Sequence, residues 1–217
     1  MKRIVEPEVM DTREEAEAYD AMGHGEVDRA FAERFLELGG GFGHVLDVGC
    51  GPAQIPIMLA QRRPEMRFMA ADLSEEMLKI ARRRAEEAGV QDRIAFRRAD
   101  AKALPYPDRH FDGLISNSIV HHVHDSMRAL REMSRVVKPN SPVLIRDLIR
   151  PETLEETQAF VDKYAGGDTP HQQKLYHDSF LASFTVKEVE AMLAKMNLPG
   201  AVVAQSSDRH WSIERSA

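Results

Sequence analysis

Cysteine is almost missing from this chain. Cys50 is the only one in 217 residues, which excludes an intramolecular disulfide and any cysteine-rich metal site. An excess of basic charge is missing too. Lys and Arg number 29 against 35 Asp and Glu, a net charge of -6, whereas proteins that bind nucleic acid electrostatically gather basic charge on one face. The runs Arg82-Arg83-Arg84 and Arg97-Arg98 are short and mixed with acids, so they read as solvated helix and strand faces. No nucleic-acid partner is expected. No stretch approaches the ~18 to 20 apolar residues of a membrane span, and the opening MKRIVEPEVMDTREEAEAY holds no apolar core segment of the secretory kind. The cytoplasm is the expected compartment. Polar low-complexity tracts and internal repeats are also absent. What is present, 43% hydrophobic and 29% charged residues, is enough for one domain with a sizeable core and an attached cap.

The patterning changes along the chain. Thr12 with Glu15 has capping-box spacing and predicts an acidic helix to about residue 22, followed, after Gly23-His24-Gly25, by a helix over about 26–38. From residue 44, short β-rich runs alternate with helices. Strands are expected at 45–48, 67–71, 94–98, 113–116 and 143–148, and helices at 53–62, 75–88 and 126–137. Ser74 and Asp125 serve as caps, and Pro56 is tolerable only in a first helical turn. A β-α-β-α order predicts an α/β fold with a mostly parallel sheet and helices on both faces. After Pro151 the regularity lapses: 152–183 looks helical, yet carries Gly166-Gly167 and Pro170 and is rich in His and aromatic residues. A second capping box, Thr185 with Glu188, predicts a helix to about 197, and strands at 202–204 and 211–213 finish as an expected antiparallel pair.

Between the first strand and the first helix of this alternation lies HVLDVGCGPAQIPIMLA, residues 44–60. A turn of small residues before a helix N-terminus brings backbone N–H groups toward a ligand, and missing Cβ atoms let that ligand come close. In the dinucleotide fingerprint G-x-G-x-x-G the third glycine would fall at Gln54, whose long side chain obstructs helix packing and pyrophosphate approach. That counts against NAD or FAD. Asp47, two residues before Gly49, points the same way, because a carboxylate there suits a ligand carrying a cation.

VLDVGCGPA resembles the D/E-x-G-x-G-x-G signature of class I S-adenosylmethionine-dependent methyltransferases, with Ala53 in place of the third glycine. The likeness extends to about residue 148 through several motifs in order. It implies a doubly wound, Rossmann-like seven-stranded sheet with the last strand antiparallel, and S-adenosyl-L-methionine as cofactor with S-adenosyl-L-homocysteine as product. It also implies an N-terminal helical lid over 1–42, a cofactor-binding core over 43–150, a helical cap insertion over 151–184, and a C-terminal helix and strand pair over 185–217. By this resemblance Asp47, Gly49, Cys50 and Gly51 hold the cofactor at the turn, Asp72 accepts the ribose hydroxyls with Leu73 against the adenine, and Asp100 bonds the adenine amino group with the backbone of Ala101 nearby. FDGLISNSIVHHVHD matches the family's fourth-strand segment and ALREMSRVVKPN the helix and turn after it. Asn117 and Ser118 then fall at the carboxyl end of a strand, where open α/β sheets bind ligands. The asparagine-proline-proline-aromatic motif of enzymes that methylate DNA bases or protein glutamine is absent, the residues here being Asn117-Ser118-Ile119-Val120. The chain most resembles the small-molecule group that includes the quinone-biosynthesis C-methyltransferases.

Methyl transfer from a sulfonium is an in-line displacement, so the protein mainly aligns the reacting atoms and excludes water. An acidic or phenolic nucleophile calls for a base, and His121-His122-x-His124-Asp125 lies just beyond the fourth strand. His121 is the first choice as base or orienter, with His122 and His124 next. The plain alternative is that one caps a helix, one is exposed and none titrates in catalysis. Three imidazoles also suggest a metal, but adjacent side chains on an irregular loop seldom converge on one ion, and none is expected. Cys50 reads as a small buried filler rather than a reactive thiol. For the substrate pocket the candidates are Tyr19 and Met22, beside Asp20, in the N-terminal helices, His121 itself, and Tyr164, Tyr176, His177 and Phe180, with His171 and Phe184, in the insertion. Those aromatics equally suit packing of a cap against the sheet. Arg209 or His210 would meet a substrate anion or carbonyl, with a salt bridge to the acidic surface as the favoured alternative. The function expected is methyl transfer to a small molecule at oxygen, carbon, nitrogen or sulfur, by a monomer or homodimer. A non-methylating reaction of the same cofactor and a non-catalytic, cofactor-binding regulatory module stand as the alternatives.

Overall fold

The computed structural model describes residues 1–5, 12–14, 16 and 25–217. Most of the acidic helix expected over 12–22 lies outside these residues. Seven strands form one sheet: β1 (Gly43–Val48), β2 (Met66–Asp72), β3 (Ile94–Arg98), β4 (Gly113–Asn117), β5 (Val143–Leu148), β6 (Val202–Gln205) and β7 (His210–Arg215), in the order β3-β2-β1-β4-β5-β7-β6. All neighbours pair in parallel except β7, which runs antiparallel to both β5 and β6. The expected doubly wound sheet with its last strand reversed is the one observed.

Alternation along the strands decides which helices they carry. Leu46 and Val48 of β1 pack with Leu130 and Met133 of α4 (Ser126–Val136) and Val189 of α7 (Val186–Leu193). Val45, one residue before Leu46 and so pointing the opposite way, packs on the other face with Phe31 and Phe35 of α1 (Gly25–Glu37), Leu59 of α2 (Gln54–Arg62) and Leu78 of α3 (Glu75–Glu87). β5 repeats the rule, Val143 and Ile145 going to one layer and Leu144 to the other. A smaller cluster of Leu148, Val161, Ala165 and Phe180 ties the end of β5 to α5 (Leu154–Ala165) and α6 (Pro170–Ala182).

Caps place the helices. Ser74 accepts a hydrogen bond from Met77 N and Asp125 from Arg128 N, as their residue types suggest. Thr185 and Glu188 form the expected reciprocal box, but α7 ends at Leu193, short of 197, ahead of the helix-stopping Pro199-Gly200. The glycines and proline that interrupt 152–183 are a boundary between two helices: α5 stops at Gly166, and α6 starts with a Thr169–Gln172 capping box and Pro170 at its first position. Among the described residues no helix is long and apolar enough to cross a membrane.

The topology positions the site. The chain leaves β1 toward β2 on one side, while β4 flanks its other side, so the loops after β1 and β4 part at the carboxyl edge and open a crevice. Because β7 is reversed, His210 at its start lies beside Leu148 at the end of β5, bringing the β6–β7 turn to the same edge.

Candidate active site

A cavity of ≈ 640 Å³ lies at that edge, within the roughly 300–1,000 Å³ of small-molecule sites. Its floor is the turn after β1. Gly49 N and Cys50 N both donate to Ala71 O, at 2.8 and 3.0 Å, which pins the turn to β2. Gly49 has φ 73° and Gly51 φ 51°, in the left-handed region where a Cβ is disfavoured. At Gly49 a Cβ would also stand 2.3 Å from Ile119 Cγ2. Ala53, in the third glycine position, adopts φ 60° as well. Gln54 lines the cavity, and its amide, oriented to satisfy both neighbours, donates to Asp28 Oδ2 at 2.6 Å and accepts from Arg84 Nη1 at 2.9 Å.

Acids surround this turn. Asp47 is 3% exposed, lines the cavity, and has no hydrogen bond or ion pair among the described residues. Burial, then the nearby Asp72 and Asp28, push its carboxyl well above the usual range. Asp28, on α1, is pushed up to about 6 by burial, with Arg146 opposing. Such a carboxylate without a cation is costly to ionise, and a cationic ligand relieves that cost. Asp72 Oδ2 accepts from Gly51 N at 2.8 Å and Oδ1 from Ser74 N at 2.9 Å, so backbone N–H groups of the turn and of the α3 cap hold the carboxylate at the cavity edge. Asp100 Oδ1 accepts from Lys102 N at 2.8 Å in the turn after β3, with Ala101 beside it on the cavity wall. Leu73, Asn117 and Ser118 line the same space. The donor set therefore fits a nucleoside that carries positive charge. Cys50 is buried, and burial with Asp72 and Asp47 pushes its thiol well up, so it stays protonated.

Two results follow for cofactor binding. Asp72→Ala weakens it by about 1–3 kcal/mol, the loss of a buried acceptor, read by calorimetry; unchanged affinity removes Asp72 from the site. A cation lowers the raised carboxyl values of Asp47 and Asp28, so its binding expels protons and its affinity rises from about pH 5 to about pH 7. Titrations in two buffers of different ionisation enthalpy measure the protons released, and a pH-independent affinity contradicts the assignment.

The histidines separate by environment. His121, 3% exposed, sits against Asp147, 0% exposed. Asp147 Oδ1 lies 2.6 Å from His121 Nδ1, and Asp147 Oδ2 accepts from His121 N at 2.9 Å. Burial raises the Asp147 carboxyl, but the His121 charge and the hydrogen bonds from His121 and Leu148 hold it below the usual range. The Asp147 carboxylate holds the ring through Nδ1. The His122 ring packs against that of His121, centroids 4.0 Å apart and planes tilted by 37°, and burial followed by the His121 charge pulls it down to about 3. His124 is exposed and does not line the cavity. Among the described residues no cluster of His, Cys, Asp and Glu could hold a metal. Asp147 escaped the sequence reading: nothing in a single strand sequence marks it, and only the parallel pairing of β4 with β5 sets it against His121.

Of the substrate candidates, Tyr164, His171 and Tyr176 line the cavity, as do Arg209 and His210. His177 is half-buried beside Asp178 and outside the lining, while Phe180 and Phe184 are core residues. Tyr19, Asp20 and Met22 lie outside the described residues. Among the described residues Arg209 makes no salt bridge; its guanidinium lies over the Tyr164 ring, 3.5 Å from the centroid, and donates to Tyr176 Oη at 2.6 Å.

Fold and donor set together fit an α/β protein that binds a cationic nucleoside. Comparison with known proteins points to the methyltransferases. Residues 45–140 match the methyltransferase domain model. Methyltransferase GfsG of Streptomyces halstedii is 37% identical over 120 residues, 55% of this chain and 43% of that one. The ubiquinone/menaquinone biosynthesis C-methyltransferase UbiE of Pseudomonas entomophila is 29% identical over 201 residues, 89% and 78% of the two chains. The chain thus spans less than half the length of GfsG and most of UbiE. Among solved structures, a SAM-dependent methyltransferase from Aquifex aeolicus superposes with a TM-score of 0.66 at 18% identity, covering 94% of this chain and 97% of that one. Residues 45–140 thus match a methyltransferase domain, and the chain is similar to S-adenosylmethionine-dependent methyltransferases, the quinone-biosynthesis enzymes among them.

Proposed function

We propose that this protein methylates a small-molecule acceptor, with His121 as the base or orienter of the attacking atom. The observation that carries the proposal is the buried His121–Asp147 pair on the wall of the cavity that Asp47 and the Gly49–Gly51 turn also line. S-adenosylmethionine, when bound, supplies an electrophilic methyl group on a sulfonium. Asp72, Asp100 and the turn orient the nucleoside, and Asp47 faces its positive end. His121 takes the acceptor's proton at Nε2, and Asp147 stabilises the imidazolium that results. His122, pulled down to about 3, stays neutral and adds no second charge. The insertion 151–184 and the N-terminal segment 1–42 act as cap and lid that exclude water. Supporting this, Arg3 donates from Nε to Ala182 O and from Nη2 to His121 O at 2.9 Å, joining the N-terminus to both cap and base. The acidic balance favours a small molecule over nucleic acid, and one buried, reduced cysteine suits the cytoplasm.

Incubation with methyl-labelled cofactor and a screen of quinols, phenols, thiols and amines tests the reading. Label in an acceptor, matched by S-adenosylhomocysteine, is the expected result. S-adenosylhomocysteine without labelled acceptor favours a non-methylating reaction; tight binding without product, with a co-purifying partner, favours a regulatory module.

A further inference from the structure

The two ends of the cavity differ in charge. Around the glycine turn stand Asp28, Asp47 and Asp72, whereas at the β6–β7 turn stands Arg209. Asp208, its neighbour in sequence, is directed elsewhere: it accepts from Lys163 Nζ at 2.8 Å and from Tyr164 Oη. Arg209 is left with one side-chain hydrogen bond, from Nη1 to Tyr176 Oη at 2.6 Å, and no ion pair among the described residues. The guanidinium lies over the Tyr164 ring, 3.5 Å from its centroid, and the Arg209 carbonyl accepts from Ile149 N at 2.8 Å, so both ends of the residue are held. Tyr176 accepts from Arg209, which leaves its O–H to donate, and burial keeps that phenol neutral, pushed up to about 12. Burial, then Arg146 and Arg209, pull His210 down to about 3, with Asp147 and Asp208 opposing.

We infer that Arg209 and Tyr176 form an anion-binding fork that recognises a negatively charged oxygen on the methyl acceptor, a carboxylate or an ionised phenol or enol. The inference deepens the methyltransferase reading and rests on it. A guanidinium held over an aromatic ring, with N–H donors remaining beside a phenol O–H, matches two lone pairs of such an oxygen group. A half-buried cation whose neighbouring acid, Asp208, is already engaged by Lys163 and Tyr164 gains more from an anion than from a neutral ligand. An acceptor bound there is oriented with its charge away from the acidic cofactor end.

Calorimetry on the full chain saturated with S-adenosylhomocysteine tests this with three probes: benzoate, 4-nitrophenolate and the neutral benzamide. The expected result is that at least one anion binds about tenfold or more tighter than benzamide. Arg209→Gln removes that preference, Arg209→Lys keeps part of it, and Tyr176→Phe lowers it, all with S-adenosylhomocysteine affinity unchanged. The preferred anion says which group the acceptor carries. The inference is overturned if benzamide binds as well as both anions, if neither anion binds at millimolar concentration, or if Arg209→Gln keeps the preference. Failure of the wild-type chain to bind S-adenosylhomocysteine would instead overturn the methyltransferase reading. Retained S-adenosylhomocysteine binding in each variant also shows that it has folded.

Discussion

His121→Ala lowers kcat by about 100- to 10,000-fold, the range for a lost general acid or base, while cofactor affinity stays within about twofold of wild type. The neighbours decide the size of the effect. His122 cannot take over, since burial and the adjacent His121 pull it down to about 3 and leave it too weak a base at neutral pH. His124 is exposed and outside the cavity. Asp147→Asn should reproduce much of the loss with less structural damage, because an amide in place of the carboxylate holds the ring but does not stabilise its protonated form. Asp147→Ala is harsher: it removes the acceptor of His121 Nδ1, His121 N and Leu148 N in a fully buried position, and breaking such a pair costs about 3–5 kcal/mol of stability. The acid limb of the pH–rate profile should vanish in His121→Ala. Wild-type rate and profile in that variant would remove His121 from the chemistry and leave the pair a packing feature.

Gly49→Val weakens cofactor binding by roughly 30-fold or more. A side chain at φ 73° costs about 1–2 kcal/mol, and the added Cβ meets Ile119 at 2.3 Å from Cγ2 and 2.9 Å from Cβ, an overpacking cost of about 1–3 kcal/mol more. The turn cannot slide away without breaking the bonds from Gly49 N and Cys50 N to Ala71 O. Together these amount to about 2–5 kcal/mol, or roughly 30- to several-thousand-fold in affinity when the loop bears them. Gly49→Ala combined with Ile119→Ala should recover part of the loss by removing the clash while keeping the backbone strain. No recovery in the pair would mean that Ile119 is not what Gly49 makes room for. Ala53 is the contrast: it already holds a left-handed φ of 60°, so Ala53→Gly should leave binding nearly unchanged.

Local signals carried most of the fold. β3 and β5 lie where β-rich runs ended in charged or turn residues, and Ser74, Asp125 and Thr185 cap helices because their short polar side chains reach backbone N–H groups two or three residues on. α6 was blurred because Pro170 reads as a breaker unless its place at a first helical position is known. At the cavity, Asp47, Asp72 and Asp100 could be singled out because the turn motif and strand ends beside them resemble a known signature, and all three line the cavity. Asp147 could not, and Arg209 stood only as one option against a surface salt bridge. The first acts across β4 and β5 on a residue 26 positions away, and the second gains its setting from Tyr164 and Tyr176 on two helices of an irregular insertion. Contacts made by strand order and helix docking leave no periodic trace in the chain.

The central claim is that the acid-lined turn holds a nucleoside with a positive charge. Titration of the purified protein with S-adenosylmethionine and, separately, with NAD tests it most directly. One-to-one uptake of S-adenosylmethionine with proton release, and no heat from NAD, is the predicted outcome; uptake of NAD with indifference to S-adenosylmethionine would contradict it.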